Sequence, residues 1–170
     1  METIYIINIL VLSIAVSLGV GCSTAAIAQF FVAIKDGEID ASEKKMMGVV
    51  YFLLRVAMGA ILLTLLIQAG IIYQITGDFL FVSPYFQALY TAVGVLFLNA
   101  IGMTMKYVPS TIGPALQAAT WYTIGILTAL VSLNLAGFTY TEFLLVYIGA
   151  VILAIVGLNI TVKQLKQRSS

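Results

Sequence analysis

One arginine stands inside a long apolar run, and it is the residue of this sequence best equipped for chemistry. Arg55 lies nine residues beyond Met46, which is about 13 Å along a helix that rises about 1.5 Å per residue. Its guanidinium keeps its charge and offers a planar fork of donors, which suits a carboxylate, a phosphate or a polarised carbonyl. Inside a membrane such a residue is costly without partners, so it marks a candidate site. The alternative is that the long side chain extends to the nearer headgroups.

Other polar side chains fall close to the depth of Arg55 when the remaining apolar runs are drawn as helices. No carboxylate lies in the interior of any run, so the sequence offers Arg55 no counter-ion at that depth. An arginine among neutral partners is suited to an anion or a polarised carbonyl. For Trp121 the alternative is ordinary packing within the bundle. The predicted ligand-binding residues are Arg55, Ser23, Thr24, Asn99, Gln117, Thr120 and Trp121.

Missing residue types narrow the chemistry further. The sequence has no histidine, which excludes His-ligated haem, a histidine base and the usual zinc sites. Without carboxylates in the apolar interior, proton coupling through a buried acid is not expected. The single cysteine, Cys22, fits a small packing residue. We therefore predict no cofactor and no metal, and we do not expect an enzyme, because acid–base residues are lacking.

The elements that must position these residues are membrane helices. The chain of 170 residues is 62% hydrophobic and 9% charged, whereas about a quarter of the residues in soluble domains are charged. Five apolar runs reach the roughly 20 residues that cross a bilayer as a helix. In lipid a helix satisfies its own backbone polar groups. We predict one all-α domain over 1–170, an integral membrane bundle with transmembrane helices near 4–34, 46–73, 84–105, 114–135 and 142–162.

Basic residues predict the orientation of this bundle. Every Lys and Arg outside the runs falls on the side of the first and third connections and the C-terminus, and the other side carries Glu2, Asp78 and Glu142. The positive-inside rule then places the N-terminus outside and the C-terminus in the cytoplasm, in the cell membrane. The basic residues that decide this are Lys35, Lys44, Lys45, Lys106, Lys163, Lys166 and Arg168.

The first run has a small or polar residue at every fourth position. Residues four apart share a helix face, and small residues permit the close approach that helices need in lipid. We therefore predict that the first helix is central and that this face is its packed side, whether for simple packing or for a polar path. A second row of small residues, Ala15, Gly19 and Ser23, runs beside it. The first face, here the 13–29 strip, comprises Ser13, Ser17, Gly21, Ala25 and Gln29.

Glycines of the second run lie near Arg55 on the helical wheel. Gly48, Gly59 and Gly70 recur every eleven residues, which keeps them on one side of a helix that turns about 100° per residue. This spacing predicts that Arg55 shares a packed, glycine-lined face and looks inward.

The first connection contains part of a calcium-binding pattern. Asp36, Gly37, Asp40 and Glu43 match the second half of an EF-hand loop, but apolar residues occupy the first two ligand positions. A turn at Gly37 followed by a capping box between Asp40 and Glu43 explains the same residues. The sequence favours the cap. Thr139 and Glu142 predict a second capping box, and Ser83 an N-cap before Pro84.

Several motifs together resemble a group of small uncharacterised bacterial multi-spanning membrane proteins. They are Gly19-Val20-Gly21, Thr24, Phe30-Phe31, the stretch 35–39, Asn99 and Trp121-Tyr122. The resemblance covers most of the chain and implies an architecture without a known activity. It does not extend to Arg55.

These observations predict a small transporter or channel-like protein that handles an anionic or polar solute near Arg55. Five short helices enclose little volume, so we expect a homo-oligomer in the lipid bilayer. The alternative is a non-catalytic accessory or assembly subunit whose small-residue faces receive the helices of a membrane-protein partner. A net charge of +1 without a basic, aromatic-interleaved patch gives no indication of nucleic-acid binding.

Overall fold

A computed structural model describes residues 2–36, 40–77, 83–109, 112–133, 135 and 137–169. Within these ranges the chain is all-helical, and each helix is long and apolar enough to cross a membrane. The predicted fold class is confirmed to that extent. α2 begins at Ala41 rather than Met46, and α5 continues to Ser169 rather than ending at Val162. The helices are α1 (Glu2–Asp36), α2 (Ala41–Thr76), α3 (Pro84–Thr104), α4 (Gly113–Ser132) and α5 (Tyr140–Ser169).

Side-chain caps explain where α2 and α5 begin. Asp40 Oδ1 accepts the backbone N–H of Glu43 at 2.7 Å, and Glu43 Oε2 accepts that of Asp40 at 3.1 Å. Glu142 and Thr139 form the same reciprocal pair at the start of α5. Both capping boxes are confirmed, and in the first connection the carboxylates of Asp40 and Glu43 accept backbone N–H groups. The predicted turn at Gly37 lies outside the described residues.

The start of α3 matches its prediction in position only. Ser83 occupies the N-cap and Pro84 opens the helix, but the Ser83 side chain makes no capping hydrogen bond. Proline already lacks the N–H that would need a partner and has the backbone angle of a first helical turn. The proline therefore defines this helix start.

Polar contacts establish how neighbouring helices run. Asn8 Nδ2 donates to the carbonyl of Thr64 at 3.0 Å, which joins the start of α1 to the later part of α2. Asn99 Nδ2 donates to the carbonyl of Gly113 at 2.9 Å, which joins the end of α3 to the start of α4. Both pairs are therefore antiparallel. α1 packs against α2, α4 and α5, while α4 packs against α1, α3 and α5. We predicted a central position for α1. α1 and α4 each contact three other helices, so α4 is as central as α1.

The bundle is apolar outside and partly polar inside. Large side chains such as Leu98, Val146 and Leu153 are more than 70% exposed. Asn8, Thr64 and other polar side chains are buried. Apolar surface on this scale is consistent with a lipid bilayer environment. The fold is that of a multi-pass membrane protein.

The 13–29 strip is open over its first three positions, so the prediction that it is the packed face of α1 was wrong there. Ala25 and Gln29 at its end are half-buried. Ser13, Ser17 and Gly21 are exposed, and a Cβ atom on Gly21 would meet nothing within 4 Å. The buried face is the second row of small residues, Ala15, Gly19 and Ser23. Gly19 and Gly21 lie about 160° apart around the helix axis. The indole ring of Trp121 lies against Gly19. This contact determines that the row of Ala15, Gly19 and Ser23 faces inward.

Candidate functional site

A cavity of about 320 Å³ lies between α1, α2, α3 and α4, near the end of α3 and the start of α4. α2 and α3 touch each other only sparsely, which leaves room for it. Three of the predicted site residues, Arg55, Ser23 and Gln117, line this cavity. The described lining residues are Ser23, Ala26, Ile27 and Phe30 of α1, Tyr51, Leu54, Arg55 and Met58 of α2, Ala100, Met103 and Thr104 of α3, and Pro114 and Gln117 of α4.

Arg55 lines the cavity as an exposed residue. Its neighbours Leu54 and Met58 are buried and also line the cavity. The guanidinium makes no hydrogen bond or ion pair within the described part of the chain. Its charge is therefore free to meet a bound group.

The predicted glycine-lined packed face around Arg55 is wrong. Cβ atoms placed on Gly48, Gly59 and Gly70 would meet nothing within 4 Å. α2 packs instead through a face that includes Ala57 and Ile61, both fully buried. Arg55 lies between the packed and the open face. These glycines carry no side chain on the open face of α2, and no other described helix packs against them.

The backbone carbonyl of Gly113 fixes how Gln117 is presented. Since a carbonyl only accepts, the amide nitrogen of Asn99 must face it. The same nitrogen donates to Gln117 Oε1 at 3.0 Å. Gln117 therefore turns its Nε2 the other way, where its partner is the sulfur of Met58 at 3.9 Å. A thioether is a weak acceptor, so Gln117 offers an N–H donor in the cavity that a stronger acceptor would take.

Two further polar groups lie at or behind the wall. Ser23 is 3% exposed, and its hydroxyl has no partner among the residues described. Asn99 is also 3% exposed, and its Oδ1 makes no hydrogen bond within the described ranges. Together with Arg55 and Gln117, the cavity offers a cation, an amide donor and an adaptable hydroxyl. Its described lining has no carboxylate. Such a set recognises an acceptor-rich group.

The other predicted site residues connect helices and do not line the cavity. Thr24 Oγ1 lies 2.7 Å from the hydroxyl of Tyr122, which joins α1 to α4. Thr120 donates to the carbonyl of Leu116, so the hydroxyl of Tyr147, 2.8 Å from Thr120 Oγ1, must be the donor in that pair. This bond joins α4 to α5. Asn99 acts behind the wall by orienting Gln117.

Trp121 is fully buried at the centre of the bundle and packs on Gly19. Trp121 therefore fits the alternative of ordinary packing within the bundle. Its indole N–H has no hydrogen-bond partner among the described residues.

Sequence reasoning missed several residues of the cavity wall. Tyr51 and Met58 lie one turn before and after Arg55, so helical spacing alone was sufficient to find them. Phe30 of α1 and Met103 of α3 carry no such signal, because their side chains reach the cavity only through packing between helices. A hydrophobic residue in a hydrophobic helix does not indicate which wall it forms.

Comparisons with protein-family models, curated proteins and solved structures find no match to this chain. The resemblance to small bacterial multi-spanning proteins stays a prediction.

Proposed function

We propose that this protein is a small transporter or channel-like membrane protein that binds an anionic or polar solute in the Arg55 cavity. The observation that supports this is an arginine without a described partner, on a cavity that also holds the oriented amide of Gln117. Arg55 is an exposed residue in a helix long and apolar enough to cross a membrane. A positive charge at membrane depth is costly without a partner, and a bound acceptor supplies one. No acid–base pair lines the cavity, which favours binding over catalysis.

We further propose that the N-terminus is outside and the C-terminus cytoplasmic, in the cell membrane. The complete segregation of Lys and Arg in the connections supports this orientation. Lys44, Lys45, Lys106 and Lys163 are exposed, as residues facing headgroups and water are. In this orientation the cavity lies in the cytoplasmic half of the bundle, close to the connection between α3 and α4.

Solute binding is tested by thermal unfolding of the purified protein in detergent. Sodium chloride, acetate, benzoate and phosphate are compared at one ionic strength and one sodium concentration. We expect at least one anion to raise the unfolding midpoint of the parent but not that of Arg55→Leu. If none does, the proposed binding site is wrong. Flux of the stabilising anion into proteoliposomes then separates transport from binding alone.

The second candidate function is an accessory or assembly subunit, and the open faces of α1 and α2 favour it. Ser13 and Ser17 are exposed on α1, and the Cβ positions of Gly48 and Gly59 on α2 are free of neighbours. Small and hydroxyl-bearing faces suit close contact with another membrane helix. The mass of the detergent-solubilised protein separates the alternatives. A homo-oligomer favours the transporter, which we propose assembles from identical chains, and copurifying foreign chains favour the subunit.

A further inference from the structure

The wall of the Arg55 cavity is polar at a few points and apolar elsewhere. Thr104 already donates its hydroxyl proton to the carbonyl of Ala100 at 2.8 Å. The donors left for a ligand are those of Arg55 and Gln117, with the hydroxyls of Ser23 and Tyr51. The remaining wall is hydrocarbon, thioether and one aromatic ring: Ala26, Ile27, Phe30, Leu54, Met58, Ala100, Met103 and Pro114.

From this wall we infer that the solute is a monoanionic amphiphile, an organic acid with one carboxylate and an apolar body about the size of a benzene ring or a short acyl chain. The inference rests on the proposed function and specifies the substrate class of the same site.

The charge count favours a single carboxylate. Among the lining residues that the structure describes, Arg55 is the only cation. Its fork pairs with the two oxygens of one carboxylate. Gln117 Nε2, with only a thioether sulfur at 3.9 Å, adds a donor for a remaining lone pair. A phosphate dianion would bring two charges against one guanidinium. Against a largely apolar wall an unpaired second charge is disfavoured.

The volume and the wall favour an apolar body. A cavity of about 320 Å³ is at the lower end of small-molecule sites, which span roughly 300–1,000 Å³. Chloride or acetate would leave most of the apolar wall uncovered. Met58 and Met103 are flexible and polarisable, so they adapt to an aromatic or branched body. Burying that body removes apolar surface from water on both partners.

The same chemistry occurs in free organic acids and in lipids, since phosphatidylglycerol joins one phosphodiester charge to apolar chains. The experiment therefore has two arms. In detergent, the unfolding midpoint is measured with benzoate, hexanoate, acetate, inorganic phosphate, benzyl alcohol and benzylammonium. In vesicles, phosphatidylcholine with and without phosphatidylglycerol is compared.

We expect benzoate and hexanoate to raise the midpoint in a saturable way at concentrations where acetate, phosphate and benzylammonium do not. Benzyl alcohol should act more weakly than benzoate. Arg55→Leu should lose the benzoate effect, with an apparent Kd at least about tenfold weaker, the factor given by 1.4 kcal/mol. Stabilisation by phosphatidylglycerol and not by the free acids would overturn the carboxylate assignment and identify a lipid phosphodiester as the bound anion.

A wall variant tests the apolar body separately. Ala100→Phe should fill the cavity and remove the benzoate effect. Leu98→Phe, two positions away on a side chain that is 71% exposed, should leave it unchanged. If Ala100→Phe does not fold, Ala26→Leu on the opposite wall replaces it.

Two further outcomes overturn the inference in distinguishable ways. If acetate or phosphate stabilises as well as benzoate and the wall variants change nothing, the amphiphile class is wrong and the proposed anion site stands. If no anion or lipid stabilises the parent, both the amphiphile class and the proposed anion site are wrong.

Discussion

Gly19 of α1 lies directly against the indole ring of Trp121 of α4. A Cβ atom on Gly19 would overlap with the Cζ3, Cε3 and Cη2 atoms of that ring, and Trp121 is fully buried. One turn further along α4, a Cβ atom on Gly125 would lie 3.3 Å from Val20 of α1. The two glycines let α1 and α4 approach closely, which places the α1 face of Ser23 towards the cavity.

This contact predicts a large difference between two Gly→Ala substitutions on one helix. Gly19→Ala should destabilise the bundle by about 1–3 kcal/mol, because the new methyl group meets a ring that cannot easily move. Gly21→Ala should be neutral or stabilising by up to about 1 kcal/mol, since its Cβ position is open and alanine favours helix. Thermal unfolding in one detergent compares them. Equal stability of the two variants would contradict the assignment of the packed face.

Asn99 should matter for both stability and binding. Asn99→Leu leaves Gln117 without its orienting donor and the Gly113 carbonyl without a side-chain partner, so we expect a loss of about 1–3 kcal/mol. Anion stabilisation should also weaken. The matched control is Asn159→Leu, since Asn159 is exposed on α5 and donates only to the carbonyl of Ile155. If Asn99→Leu keeps the full anion response, Gln117 needs no orientation by Asn99.

The capping box of α2 gives a prediction that also tests the calcium alternative. Asp40→Ala should cost about 0.5–2 kcal/mol, as loss of an N-cap does. Ser42→Ala, on an exposed neighbour, should have little effect. Calcium should leave the unfolding midpoint of the parent unchanged, because Asp40 and Glu43 hold backbone N–H groups. A calcium-dependent rise that Asp40→Ala abolishes would reverse this interpretation.

The proposed orientation predicts labelling from outside intact cells. After Cys22 is replaced by alanine, single cysteines near Glu2, Asp78 and Asn134 should react with a membrane-impermeant thiol reagent. Cysteines near Gly37 and Ser169 should react only after permeabilisation. External labelling at Gly37 would reverse the orientation, which rests on the segregation of basic residues.

Helices and caps were predictable because their causes are local. The presence of the five helices follows from apolar run length, and the Asp40–Glu43 and Thr139–Glu142 caps from residues three apart. Which face of each helix is packed was not predictable. α1 has small residues on two rows, and only the ring of Trp121, far away in sequence, determines that Gly19 faces inward.

The depth of the candidate site residues along their helices was predictable. The direction in which each side chain points around its helix axis was not. Counting residues along each run brought Arg55 and Ser23 together, and both line the cavity. Gln117, a predicted site residue that this count did not include, lines it as well. The same count included Thr24 and Thr120, which turn to Tyr122 and Tyr147. Position around the helix axis depends on how neighbouring helices pack, and a single apolar sequence carries little information about it.

The most direct test compares the parent with Arg55→Leu and Arg55→Lys by thermal unfolding in one detergent, with and without each anion of the panel. Arg55 has no described partner to lose, so without anion Arg55→Leu should be as stable as the parent or more so. It should not respond to the stabilising anion. Arg55→Lys should fold normally and respond more weakly, because lysine keeps the charge but lacks the planar fork. Clear destabilisation of Arg55→Leu without anion would identify a structural anchor. Equal stability and equal anion response in all three proteins would identify a side chain that only reaches the headgroups, and either result would contradict the proposed site.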